Sequence, residues 1–141
     1  MAEPNRNDWN NQVIEEFHAN KGKVGGMFEG APLLLLTTTG AKSGQQRISP
    51  LVYLPDGEHV FIFASKGGAP TNPDWYHNLV SNPQVTVEIG TEQFKATAVI
   101  IEGAARDQIY AKQAQKMSNF ADYASKTTRK IPVVELVRSN G

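Results

Sequence analysis

Between residues 33 and 101 the chain divides into short apolar or alternating runs, most of them joined by turns too short to hold a crossover helix. This limits its fold more than any other feature. The run LLLLTTT at 33–39 is bounded by Pro32 and Gly40; it falls far short of the ~20 residues of a membrane span, and its β-branched end favours a mostly buried strand. Residues 48–54 give a second run, Pro55-Asp56-Gly57 a tight turn, and residues 59–65 a third, in which Val60, Ile62 and Ala64 alternate with Phe61 and Phe63 so that both faces look covered. Val85, Val87 and Ile89 alternate with Thr86 and Glu88, a turn at Gly90 leads into 94–101, and residues 131–137 supply a sixth run. Strands joined by tight turns pair antiparallel. The expectation is therefore an α+β chain dominated by β: a small closed or split barrel of about six mostly antiparallel strands with two to four flanking helices, rather than a doubly wound sheet.

The helices come from a different period. Asp8 can cap a helix in which Trp9, Val13 and Phe17 recur four apart and Ile14 widens the apolar stripe, ending near Lys21. Gly22, Gly25 and Gly26 then form a connector, so residues 1–24 read as an amphipathic helix with its linker and 25–141 as the barrel. Asn72-Pro73-Asp74 has the composition of a helix start, with Asn72 as cap, and Asn82-Pro83 ends that helix. Residues 104–123 place Ile109, Tyr110, Gln113 and Met117 at helical spacing, which one helix or two short ones would satisfy.

Composition narrows function by exclusion. The 141 residues fit one domain, and 14 Lys+Arg against 14 Asp+Glu leave a formal net charge of +0 with no long-range pull on a polyanion, so nucleic acid is not an expected partner. The absence of cysteine removes disulfides, iron–sulfur clusters and thiolate sites, and suits a cytoplasmic location. Residues 1–12 lack the basic start and apolar run of a signal peptide, although the Trp9, Val13, Phe17 face leaves peripheral membrane contact open. His18, His59 and His77 lack the spacing of a helical metal pair, and no metal site is expected. No GxGxxG, P-loop or GxSxG elbow occurs, so nicotinamide, P-loop and hydrolase readings find no support.

Three segments carry candidate chemistry. In Gly40-Ala41-Lys42-Ser43-Gly44-Gln45-Gln46-Arg47, glycines can aim several backbone N–H groups into one concavity, with Lys42, Ser43 and Arg47 as further donors. Residues 30–55 contain no acid to neutralise them. A plain hairpin turn with solvated charges explains the segment equally well. Ala64-Ser65-Lys66-Gly67-Gly68 is a second acid-free lobe, and pairing of the third strand with the second would bring Lys66 towards Lys42 and Arg47 to receive a phosphate with an acidic tail. Trp75 and Asn78 share a helical face as an aromatic plate beside an amide; packing of Trp75 and Leu79 on the barrel, with Asn78 exposed, is the plainer alternative.

The ordered motifs LLLLTTTGAKSGQQRISPL, ASKGGAPTNPDWYHNLVSNPQVTV and IPVVEL, spanning roughly residues 22–137, closely resemble the deazaflavin-dependent nitroreductase family. That resemblance implies a split β-barrel like the FMN-binding pyridoxamine-oxidase-like proteins, and coenzyme F420 rather than FMN as cofactor. It further implies that Ala41, Lys42, Ser43, Gly44, Gln45, Gln46 and Arg47 hold the phosphate and acidic tail. Pro50, Ile62, Ala64, Ser65 and Lys66 would line the deazaflavin, Asn78 would add polar contacts, and Trp75 would wall the pocket. A quinone, and incidentally a nitroaromatic compound, would be the acceptor, bounded by Val52, Met117, Phe120 and Tyr123. Tyr123, with Ser65 as second candidate, would supply the proton. Some nitroimidazole-activating relatives carry several tyrosines where this chain has Met117 and Phe120, which favours quinones over bulky nitroimidazoles. The alternatives are an FMN- or F420-binding reductase of an enone or tetrapyrrole, or a non-catalytic carrier of the cofactor. A monomer and a homodimer are both compatible with the sequence.

Overall fold

A computed structural model describes residues 6–25, 32–65, 71–127 and 130–139, with residues 6–10 as backbone only. Its elements are α1 (Arg6–Ala19), β1 (Leu33–Thr39), β2 (Gln46–Asp56), β3 (His59–Phe63), α2 (Asp74–Ser81), β4 (Gln84–Ile89), β5 (Glu92–Ile101), α3 (Gly103–Lys116), α4 (Asn119–Lys126) and β6 (Val133–Arg138). The strands form a closed barrel in the order β1-β2-β3-β6-β5-β4, and every pairing is antiparallel. Among the described residues no helix is long and apolar enough to cross a membrane.

Side-chain alternation divides the apolar residues between the two sides of the barrel wall. Leu34 and Leu36 of β1, Ile62 of β3, Val85 and Val87 of β4, Ala96 of β5, and Val134 and Leu136 of β6 point inward and are almost completely buried. Helix α2 plugs one end of this interior with Trp75, 7 % exposed, and Leu79, 2 % exposed. Burial of two such side chains stabilises the seat by about 1.5–3 kcal/mol each. Outside, α1 lays Val13 and Phe17 over Leu33 and Leu35. On another outer face, Tyr110 of α3 and Phe120 of α4 cover Leu54, Phe61, Phe63 and Val133. Phe61, Ile62, Phe63 and Ala64 are all buried, so both faces of the third strand are covered as its pattern indicates.

Two boundaries differ from the sequence reading, each for a local reason, and for the 104–123 segment one of the two arrangements expected is found. Helix α1 stops at Ala19, before Lys21, because Lys21 turns left-handed (φ 57°) and the Gly22 N–H closes back on the Phe17 carbonyl at 2.7 Å. Pro73, not Asn72, occupies the cap position of α2, without a side-chain capping bond. The 104–123 segment is two helices: α3 ends when Met117 becomes extended, and the Tyr110 hydroxyl donates to the Phe120 carbonyl at 2.6 Å, tying α4 to α3.

The barrel is closed but unevenly so. β2 pairs with β1 along its length from Gln46 to Val52, whereas it meets β3 only from Tyr53↔Ile62 to Asp56↔His59. Beyond that point β3 pairs with β6 alone, through Phe63↔Val133. Among the described residues, the wall therefore opens between the first half of β2 and the end of β3. Pro50 lies in this half, opposite Leu35, where a strand edge has no need of its missing N–H.

Candidate active site

The register locates the predicted loops. The β1–β2 loop leaves Thr39 and enters Gln46; β3 ends at Phe63; β4 begins at Gln84, paired with Thr97 near the end of β5; and β6 begins at Val133, paired with Ile101. Antiparallel pairing places all of these ends, and α2, at one mouth of the barrel, beside the opening between β2 and β3. Both acid-free segments thus start at the same mouth, although the pairing Tyr53↔Ile62 sets the end of β3 several residues along β2 from Gln46. Lys66 lies outside the described residues.

The first loop is compact. The Gly40 N–H donates to the Gln45 carbonyl at 2.7 Å, the Gly44 N–H to the Gly40 carbonyl at 3.0 Å, and the Gln45 N–H to Ser43 Oγ at 3.2 Å. Gly44 has φ +70°, a conformation that favours glycine, and a Cβ on Gly40 would lie 2.5 Å from Ser43 Oγ, so that the serine side chain would have to move. The Ala41 N–H donates outside the loop, to Asn78 Oδ1 at 3.0 Å, while Asn78 Nδ2 donates to the buried Thr38 Oγ1 at 3.3 Å.

Two expectations are refined by this network. A nest of many free N–H groups does not form: Gly40, Ala41, Gly44 and Gln45 are satisfied within the fold, which leaves the Lys42 and Ser43 N–H groups without a partner among the described residues. Both polar ends of Asn78 are engaged by protein, so its visible role is to hold the loop. Trp75 likewise faces the barrel interior and anchors α2 rather than offering an open plate.

Lys42 and Arg47 are exposed, and among the described residues neither joins an ion pair. Several carboxylates are paired with other cations, among them Glu92 with Arg138 at 2.9 Å and Asp107 with Arg106 and Lys130 at 3.0 and 3.3 Å. Those contacts hold the Glu92 and Asp107 carboxyls below the usual range, first through the hydrogen bonds from Arg138 and from Arg106 respectively. Two cations and two backbone N–H groups, on a segment that carries no acid of its own between residues 30 and 55, form a donor set suited to a phosphate with a carboxylate tail.

The other predicted site residues fall into separate groups. Ile62 and Ala64 are fully buried on the inner side of the wall, and Ser65 is 9 % exposed at the end of β3. Pro50 and Val52 lie on the outer side, Val52 packing beneath α1 with Leu33 and Leu35. Met117, Phe120 and Tyr123 gather over Phe63 on the outer face, with the Phe120 and Tyr123 rings edge to face at 5.2 Å. The proposed acceptor residues therefore do not form one surface: Val52 stands apart from the other three.

Tyr123 is half-buried, and its hydroxyl oxygen accepts a hydrogen bond from Asn119 Nδ2 at 2.8 Å. Thr38 and Asn119 are missing from the sequence reading. Asn119 stands four residues before Tyr123, a spacing that places the two side chains on one helical face, whereas Thr38 becomes visible through strand register alone. A shallow hollow of about 310 Å³ lined by Tyr76, Ile101, Arg106, Ile131 and Pro132 also lies at this mouth; its Arg106 guanidinium is committed to the Ile131 carbonyl and Asp107.

The comparisons agree with this architecture. Residues 9–138 match the family model described as F420H(2)-dependent quinone reductase. The chain is 41% identical over 128 residues to an F420H(2)-dependent quinone reductase of Mycobacterium tuberculosis, covering 86% of this chain and 85% of that protein. A solved F420-H2 dependent reductase superposes with a TM-score of 0.69 at 39% identity, over 74% of this chain and 93% of that one. Another solved structure, described as a domain-swapped dimer, gives a TM-score of 0.71 at 34% identity over 94% of this chain and 99% of its own. With its six-stranded split barrel and its acid-free loop at the open wall, the chain belongs to the F420H(2)-dependent quinone reductase family, a family of oxidoreductases that use reduced coenzyme F420.

Proposed function

We propose that this protein reduces quinones with reduced coenzyme F420, binding the coenzyme along the opening between β2 and β3. The observation that carries this reading is the convergence, at one barrel mouth, of a loop bearing Lys42, Arg47 and two N–H groups that have no partner among the described residues with a wall that the described strands leave open. Lys42, Arg47 and the N–H groups of Lys42 and Ser43 would hold the phosphate and acidic tail. Pro50 on the outer wall and the chain at Ala64 and Ser65 would border the ring, with Lys66 as a third cation.

Bound there, the reduced deazaflavin supplies a hydride, so that a quinone becomes a hydroquinonate anion and needs one further proton. The protein's own task is placement, exclusion of water and delivery of that proton. Tyr123 is the preferred donor: its phenol is half-buried beside Met117 and Phe120, and its oxygen already accepts a hydrogen bond from an amide nitrogen, which can only donate. Solvent returns the proton after turnover. Ser65 is the second candidate.

A flat quinone suits the partly buried Met117 and Tyr123, which Phe120, 5 % exposed, backs from the core, and nitroaromatic compounds are expected as slower acceptors. The relative described as a domain-swapped dimer supports a homodimer over a monomer. The Trp9, Val13, Phe17 face that left peripheral membrane contact open is not free for it, because Val13 and Phe17 are buried against Leu33 and Leu35 of the barrel. Loss of reduced-coenzyme absorbance under anaerobic conditions, on adding a menadione-like quinone, tests the function. Binding of coenzyme without oxidation by any quinone would instead identify a carrier, and preference for FMN or for an enone or tetrapyrrole acceptor would favour those activities.

A further inference from the structure

Helix α4 begins with an asparagine that does not behave as helix-start asparagines usually do. Asn119 is the first residue of α4 and follows Ser118, which makes no side-chain capping bond. Asparagine is a poor helix former because its amide competes for nearby backbone groups. Here the amide turns forward along the helix instead, and Nδ2 reaches the Tyr123 hydroxyl oxygen at 2.8 Å, four residues on and partly buried. The Tyr123 ring is fixed from behind by Phe120, at 5.2 Å and 65°.

We infer that Asn119 is a positioning residue for proton delivery, aiming the Tyr123 hydroxyl hydrogen at the acceptor. A phenol has one hydrogen to give and lone pairs to receive with, and its C–O–H group prefers to lie in the ring plane. An amide N–H occupying one side of the oxygen leaves the hydrogen the other side, away from α4's first turn. The same N–H steadies the negative charge left on the oxygen when the proton leaves, and it meets no competing acceptor on Asn119 Nδ2. The inference rests on the reading of Tyr123 as proton donor, and it assigns the orientation of that donor to a residue which itself touches neither coenzyme nor quinone.

The test compares Asn119→Asp, Asn119→Leu and Asn119→Gln with Tyr123→Phe in the full-length protein, using reduced F420 and menadione. Asp is nearly isosteric with Asn and an acid at a helix start is favourable, so Asn119→Asp should melt no lower than wild type. Its carboxylate can only accept, however, and would draw the tyrosine hydrogen towards itself. The expected order of kcat is wild type, then Asn119→Leu, then Asn119→Asp at least about tenfold down, near Tyr123→Phe. The solvent deuterium isotope effect should grow in Asn119→Leu, and Asn119→Gln, which keeps the donor, should recover part of the rate. A residue that merely packed the helix would give the reverse order, with Asp better than Leu. Asn119→Asp turning over like wild type while Tyr123→Phe is slow overturns this inference alone. Tyr123→Phe turning over like wild type removes the donor itself, and the inference with it.

Discussion

The backbone N–H of Ala41 donates to the side-chain carbonyl of Asn78 at 3.0 Å across 37 residues of sequence, and the other end of the same amide donates to Thr38. One side chain thus joins the acid-free loop, the strand that precedes it and helix α2. Because Trp75 and Leu79 anchor α2 in the barrel interior, the loop inherits the rigidity of the core. Asn78→Ala should cost about 1–2 kcal/mol for two partly exposed hydrogen bonds and raise KM for the reduced coenzyme several-fold. Thr38→Val, which keeps the shape and loses one acceptor, should do less. Melting curves and steady-state kinetics check both, and a larger effect from Thr38→Val would contradict the assigned order.

Lys42 lies on the loop surface without an ion-pair partner among the described residues, so its charge has little to do for the fold. Lys42→Ala should leave Tm within about 1 °C, since solvated surface positions contribute little. It should raise KM for reduced F420 by roughly tenfold at low salt and flatten its dependence on ionic strength, because screening acts on exposed charges. Equal salt dependence in variant and wild type would place the coenzyme's anionic groups elsewhere.

Gly22 makes the tightest backbone approach in the α1 region: at φ +93°, a Cβ added to it would lie 2.7 Å from Gly90 Cα and 2.9 Å from Gly90 N. No flexible side chain can yield there. Gly22→Ala should therefore destabilise by about 2–4 kcal/mol, through left-handed strain together with overlap, and lower Tm by about 6–12 °C. Turnover per folded molecule should be unchanged, because the contact lies at the barrel end opposite the site. Calorimetry at matched concentration measures the loss.

The His59 imidazole is pushed above its ordinary 6.5, first by the hydrogen bond and then by the charge of Glu135, whose Oε2 lies 2.6 Å from Nδ1. A raised folded-state value means that the protonated pair stabilises the β3–β6 ladder fully below about pH 6.5, and that this contribution fades as pH rises through the folded-state value. Comparing Tm of wild type and His59→Gln from pH 5.5 to 8.5 should show a gap that is widest at the acid end. A gap that widens with pH would contradict the sign.

Local signals were legible and distant pairings were not. Pro32 and Gly40 bracket β1 where the structure has it, and Asn82-Pro83 ends α2 after Ser81, because these residues act on their own backbone. The break at Met117 escaped the periodicity, since Ile109, Tyr110, Gln113 and Met117 continue a helical pattern that tertiary contacts interrupt. Likewise, Pro50 and Ile62 read as neighbours in one lining, yet the pairing Tyr53↔Ile62 puts them on opposite sides of the wall. Strand parity decides this, and parity requires the register. The opening between β2 and β3 is a long-range feature of the same kind. By contrast, the Asn119–Tyr123 contact was within reach of sequence, being a four-residue step along one helix.

The central claim is that the acid-free loop at the open wall is where coenzyme F420 binds, and fluorescence titration of F420 against wild type and the Lys42→Ala/Arg47→Ala double variant tests it most directly. At low ionic strength the double variant should bind at least about 30-fold more weakly, the loss of two charge-assisted contacts, while its melting curve overlays that of wild type. Equal affinity in the two proteins would move the coenzyme to another part of the molecule.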